Sequence, residues 1–204
     1  MRDILRAVAI LCCVVLSMAS RATEFDELNA AIKQRLASTC LAAPAATADF
    51  QELATAAGLP LSTLCVVPDM PAVAVALIDG TVLLDHTWLQ THSREALRFV
   101  LAHELGHATA GDSAARVRLL RKATGKPLNS LEELDLVVDS LSHEVIVRLS
   151  EMSISSEYRA DRFAIRLTGV SAYILKDLLH GHSASLTHPS GQNRIAAVFA
   201  ASSY

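Results

Sequence analysis

"VLAHELGHATAGD", from Val100 to Asp112, sets two histidines and a glutamate into an apolar stretch with helical periodicity. Helix positions four apart differ by about 40° in azimuth and about 6 Å in height. The imidazoles of His103 and His107 therefore converge on one point. Gly106 stands between them and costs a helix roughly 1 kcal/mol relative to alanine. Its expected compensation is close packing of this helix under a neighbouring hairpin. The flanking residues are apolar, so these polar groups sit on a largely buried element and need partners there.

His103-Glu104-Leu105-Gly106-His107 fits the zinc pattern H-E-x-x-H. Zinc held by such a pair lowers the pKa of a water in its open position to about 7, and Glu104 is placed to take the proton as that water attacks a carbonyl. A solvated helical histidine pair is the alternative. A catalytic zinc takes a third protein ligand and leaves a fourth position open. The extended H-E-x-x-H-x-x-G-x-x-H pattern needs glycine at 110 and histidine at 113, where this chain has Ala110 and Ser113. That class is excluded. A glutamate on a later helix is the other solution. From residue 23 on, only Glu157 is followed four residues later by an aspartate, Asp161. Glu157 is thus the candidate third ligand, and Asp161 the acceptor for the free N–H of a ligand histidine. Read alone, without the histidine pair, Glu157 is better read as a surface carboxylate.

The chain has 204 residues, 51 % apolar and only 4 % aromatic, enough for one domain with a real core. Ala, Leu and Val dominate, which favours a mainly helical domain. A net charge of −3 gives no basic footprint for nucleic acid. The opening "MRDILRAVAILCCVVLSMASRA" has Arg2 and Arg6, an uncharged run from Ala7 to Ala19, then small residues. A run of that length matches the core of a signal peptide and falls short of the roughly 20 residues that span a bilayer. Residues 1–22 are therefore expected to be a signal peptide and 23–204 the exported domain. Cleavage after Ala22 is favoured over Ala19, and an uncleaved inner-membrane anchor is the alternative. No other stretch is apolar enough to span. Loss of residues 1–22 leaves Cys40 and Cys65, which in an exported chain read as one disulfide.

Helical stripes run through Phe25–Ser38, Thr47–Gly58, Ser93–Ala110, Ala114–Ala123 and Ser155–Gly169. Ser130 and Glu133 form a capping box that opens a helix towards Ser150. Short helices are expected near 172–179 and 193–200. "PAVAVALIDGTVLLD" differs, because two β-prone runs flank Asp79-Gly80, the signal of a two-residue hairpin. The expected fold is α+β and mainly helical: a zincin-like domain with a small hairpin or sheet beside the H-E-x-x-H helix and no parallel βαβ unit. His143 reads as a surface residue. His180 and His182 read as loop residues, with a second metal or shielding of the cleft as alternatives.

"HELGH", "SSEYRADRFA" (Ser155–Ala164) and "THPSGQNRIAAV" (Thr187–Val198), in that order, resemble the M48 family of zinc metallopeptidases, HtpX-like gluzincins. The resemblance covers roughly Val67 to Phe199. It implies a zinc endopeptidase with one Zn2+ per chain, His103, His107 and Glu157 as ligands, Glu104 as base, and His188 and Arg194 lining the cleft. It also implies that an extended substrate adds to the edge of the hairpin. The family places asparagine near the start of that edge strand, where this chain has Val73. The transmembrane helices of its membrane-embedded members are absent. The implied role is a stand-alone periplasmic enzyme acting on unfolded or misfolded envelope polypeptides, with no nucleic-acid partner and no membrane anchor after signal cleavage. The rival is a non-catalytic or latent zinc-bound chaperone or binding protein, with His188 as a fourth ligand closing the site.

Overall fold

The computed structural model describes residues 22–36 and 39–201. The expected signal peptide lies outside the described residues, apart from Ala22. Ala22 opens the first helix, α1 (Ala22–Leu36), followed by α2 (Pro44–Ala56). Three short strands come next: β1 (Leu64–Val67), β2 (Ala74–Ala76) and β3 (Val82–Asp85). Seven helices complete the described chain: α3 (His86–Thr91), α4 (Arg94–Ala110), α5 (Asp112–Thr124), α6 (Leu131–Val138), α7 (His143–Thr168), α8 (Ile174–Leu178) and α9 (Gly191–Ala201). Among the described residues no helix is long and apolar enough to cross a membrane.

The sheet has the order β1-β3-β2, with β2 antiparallel to β3 and at an edge. β1 is parallel to β3, pairing Leu64 with Val82 and Val67 with Asp85. No helix links this parallel pair, because the chain returns through β2. Successive side chains of a strand point to opposite faces, and here both faces are buried. Val66, Ala74, Ala76, Val82 and Leu84 join Phe50, Leu53, Leu101 and Leu105 in one apolar cluster. Cys65, Val67, Val75 and Leu83 join Phe25, Leu28, Ile32, Val117 and Leu120 in the other. Helices α2 and α4 thus cover one face, and α1, α5 and α6 the other.

The hairpin forms, but its turn is wider than two residues. Leu77 N–H donates to Thr81 C=O at 2.6 Å, leaving Ile78, Asp79 and Gly80 as the loop. Gly80 takes φ +83°, the left-handed residue that a three-residue hairpin loop needs. Cys40 and Cys65 are joined in a disulfide that ties the α1–α2 connection to β1. Beside it Leu41 bridges to Val66.

Two expectations about helices are corrected. The helix opened by Ser130 stops at Val138, and a second serine cap, Ser142 accepting from Val145 N–H, starts α7. From there one helix runs unbroken through Ser155 to Thr168. The break separates two burials: α6 puts Leu131, Leu134 and Val137 into the cluster behind the sheet, whereas the buried face of α7 from Ser153 on crosses α4. Gly106 does not face the hairpin. A Cβ there would stand 3.2 Å from Ala160 Cα and 3.1 Å from Phe163 Cδ1, so the glycine lets α4 approach α7.

Candidate active site

Ser93 opens α4, its hydroxyl accepting from Ala96 N–H at 3.1 Å, and Gly111 closes it in the left-handed region at φ 66°. Between these caps His103, Glu104 and His107 lie on one buried face. On α7, Glu157 and Asp161 are a turn apart and almost wholly buried. The close α4–α7 crossing at Gly106 brings the two sets together.

His103 Nε2 and His107 Nε2 are 3.1 Å apart. Glu157 Oε2 lies 3.5 Å from the first and Glu157 Oε1 3.4 Å from the second. The three residues can hold a metal ion, since their ligand atoms all fall within 4.8 Å of one another. The outer ring nitrogens support this. His103 Nδ1 is 3.0 Å from Asp161 Oδ1, and His107 Nδ1 is 2.9 Å from Asp112 Oδ2. A carboxylate at each Nδ1 fixes the proton there and leaves the Nε2 lone pairs facing each other. Two lone pairs and a carboxylate crowded into one buried space repel unless a cation joins them.

The electrostatics say the same. Burial opposes charge on His107, but Asp112 and Glu157 outweigh it and raise its pKa to about 10. Burial likewise opposes charge on His103, and Asp161 and Glu157 raise it. Glu157 is held well below the usual carboxylate range: burial works against this, but both imidazoles and Arg194 overcome it. The pocket attracts positive charge.

Arg194, from α9, lines the cleft as the resemblance implies, and it also makes two ion pairs. Its Nε and Nη2 grip Asp161 at 2.8 and 2.6 Å, and Nη1 lies 3.0 Å from Glu157 Oε2. The guanidinium at the cleft wall is thus a counter-charge to two buried carboxylates, Asp161 beside His103 and Glu157 beside both histidines. His188 sits where the resemblance implies, with Nε2 3.6 Å from Glu157 Oε1 and Nδ1 2.9 Å from Thr187 Oγ1. Partial burial holds its pKa below the ordinary value. Its loop is fastened by Ser185 N–H to His188 C=O at 2.8 Å and by Gly191 N–H to His182 C=O at 3.0 Å.

A cleft of about 540 Å³ opens over these groups, walled by Ala74 on one side and by Trp88, Phe99, Leu179 and His188 around it. His182 also lines it, whereas His180 is exposed. Among the described residues neither joins a metal-holding group of three. His143 is exposed at the start of α7, as expected.

Two parts of the site escape the sequence reading. Asp112 follows Gly111, five residues after His107, and also receives Arg159. Its signal in the sequence is a carboxylate just past a glycine that stops the helix. The second is a backbone group: Ala76 N–H donates to Glu104 Oε2 at 2.9 Å, docking this carboxylate against β2.

Neither a curated protein nor a solved structure matches the chain. Residues 41–201, most of the chain, match the family model described as Peptidase family M48, and the protein belongs to that family of peptidases.

Proposed function

We propose that the protein is a zinc-dependent endopeptidase that cleaves exported polypeptides in the periplasm, acting on unfolded or misfolded envelope proteins. The observation that carries the reading is the pair of Nε2 atoms turned inward beside Glu157, each ring pinned from behind by an aspartate. Two imidazole nitrogens and a carboxylate oxygen suit zinc. The disulfide fits an oxidising compartment.

His103, His107 and Glu157 would hold the ion. When bound, zinc supplies Lewis acidity at the scissile carbonyl and to the attacking water. Glu104 has one oxygen fixed by Ala76 N–H and the other free to accept the water's proton and pass it to the leaving amine. In the hairpin Asp85 N–H bonds to Val73 C=O and Leu77 N–H to Thr81 C=O. By alternation, the backbone groups of Ala74 and Ala76 face away from β3. The groups of Ala74, at the cleft wall, are open to an added substrate strand. In the tautomer in which the Thr187 hydroxyl donates to Nδ1, 2.9 Å away, His188 carries its proton on Nε2 and can donate to the developing oxyanion.

The deciding experiment measures zinc content and casein hydrolysis in wild type and Glu104→Gln. The variant should keep zinc and lose activity; equal activity in both would overturn the reading. A latent form with His188 as a fourth ligand is the second reading: its Nε2 stands 3.6 Å from Glu157 Oε1, close enough for a small shift to bring it beside the three residues that can hold the ion. His188→Ala separates the two. Loss of an oxyanion donor costs about 100- to 1,000-fold in turnover, whereas removal of a fourth ligand raises activity.

A further inference from the structure

Helix α1 lies outside the residues that match the family model, yet it bonds directly to the hairpin that docks the base. Phe25, Leu28 and Ile32 are buried in the cluster that also takes Val75, Leu77 and Ile78 from the hairpin. On the same helix Asn29 is buried, and its Oδ1 accepts from Ile78 N–H at 3.1 Å. One turn further on, Lys33 pairs with Asp79 at the tip of the loop. The disulfide fastens the segment that follows α1 to β1. Ile78 is two residues past Ala76, whose N–H holds Glu104.

These contacts restrain the hairpin loop and β1, and through them a strand three residues long. β2 is an edge strand, paired only with β3 among the described residues. An isolated hairpin of this size is marginal in water. Its height against α4 is set by what holds its turn, and α1 holds that turn by one buried hydrogen bond and one ion pair. We propose that α1 is a clamp on the catalytic hairpin and that Asn29 is a positioning residue. By holding Ile78 N–H it keeps Ala76 N–H on Glu104, and so sets where the base stands over the metal-holding group. This rests on Glu104 acting as the base.

The test uses the full exported chain and compares Asn29→Leu, Asn29→Asp and Lys33→Met with wild type. Asn29→Leu keeps the burial and removes the acceptor; Asn29→Asp keeps an oxygen in the same place. Amide exchange at Ile78 and Ala76 should quicken about five- to tenfold in Asn29→Leu, the value of one net hydrogen bond. Turnover of labelled casein per zinc-loaded molecule should fall about tenfold, since small displacements of catalytic groups are costly. Zinc content should not change, because none of the three ligands is on the hairpin. Asn29→Asp should recover turnover. Lys33→Met, whose lost pair is half exposed, should cost about two- to threefold and leaves the helix packing untouched should the leucine variant fail to fold.

A purely stabilising helix would lower the melting temperature and leave kcat per zinc-loaded molecule at the wild-type value, which would overturn the proposal. A rise in KM with kcat unchanged would overturn it too, because the hairpin would then serve substrate alone. Were wild type itself inactive, the peptidase reading would fall by its own test. The Ala76 amide would still decide the clamp, with unchanged protection in Asn29→Leu ending it.

Discussion

His107 and Asp112 meet across a helix boundary: Nδ1 of the first lies 2.9 Å from Oδ2 of the second, although Gly111 has ended one helix and Asp112 begins the next. The left-handed turn at Gly111 folds α5 back so that its first side chain faces the preceding turn of α4. Asp112 is also anchored by Arg159 of α7. Replacing Asp112 by alanine frees the imidazole to rotate and to change tautomer. Zinc affinity should drop by roughly 10- to 100-fold, measured by chelator competition. Asp161→Ala should cost at least as much, because it also releases Arg194 from its two-pronged grip. Unchanged affinity in both variants would leave the aspartates without a role in holding the ligands.

Glu157→Ala should lose its metal on dialysis, whereas Glu144→Ala and Glu151→Ala should retain it. All three glutamates are on α7, but Glu144 and Glu151 are exposed and only Glu157 is turned into the crossing with α4. Metal content by atomic absorption decides the matter. Loss from the Glu144 or Glu151 variant instead would mean that the third ligand is misassigned.

Gly106→Ala sets two effects against each other. Alanine gains about 1 kcal/mol of helix propensity. Its methyl group, however, meets Ala160 Cα at 3.2 Å, and backbone cannot swing away as a side-chain tip can. The helices must part by a few tenths of an ångström just where Glu157 reaches the two histidines. The expected outcome is zinc affinity reduced by about tenfold with a melting temperature of the metal-free protein close to wild type. A variant that binds zinc as tightly as wild type would show that the crossing has slack.

Asp49 gives the protein an acid-sensitive joint between α2 and α4. Its buried carboxylate takes both prongs of Arg94 at 2.8 and 2.7 Å and Arg98 at 2.8 Å. The Arg94 hydrogen bonds, against the opposing effect of burial, hold Asp49 below its usual range. A carboxylate depressed in the folded state adds stability above its unfolded pKa of about 3.9, lost as pH falls from there towards the folded value. Asp49→Asn should therefore be less stable at pH 7 by about 2 kcal/mol. The gap should narrow below about pH 4, where the wild-type carboxylate takes up its proton. Thermal unfolding from pH 7 down to pH 2.5 checks this, and parallel curves for the two proteins would contradict it.

The sequence alone determined whatever depends on neighbours within a turn or two. His103 and His107 share a face because they are four apart, and the same spacing puts Asp161 beside Glu157. Gly-stopped and Ser-capped helix ends such as Ser93 and Gly169 were legible for that reason, as was the hairpin around Gly80. Tertiary structure alone decided how those faces meet. β1 is four apolar residues with no period to reveal it, and it became a strand because β3 had a free edge and both faces could be covered. The chain breaks between Val138 and His143 without glycine or proline, because the helices on either side bury their apolar faces in different clusters. Arg194 was legible as a cleft residue, but its pairing with Asp161 and Glu157, more than 30 positions away, was not. Gly106 could be seen to need a close neighbour, but not which one. Periodicity records which side of an element is buried. It carries no information about which distant element, or which backbone N–H, comes to lie against that side.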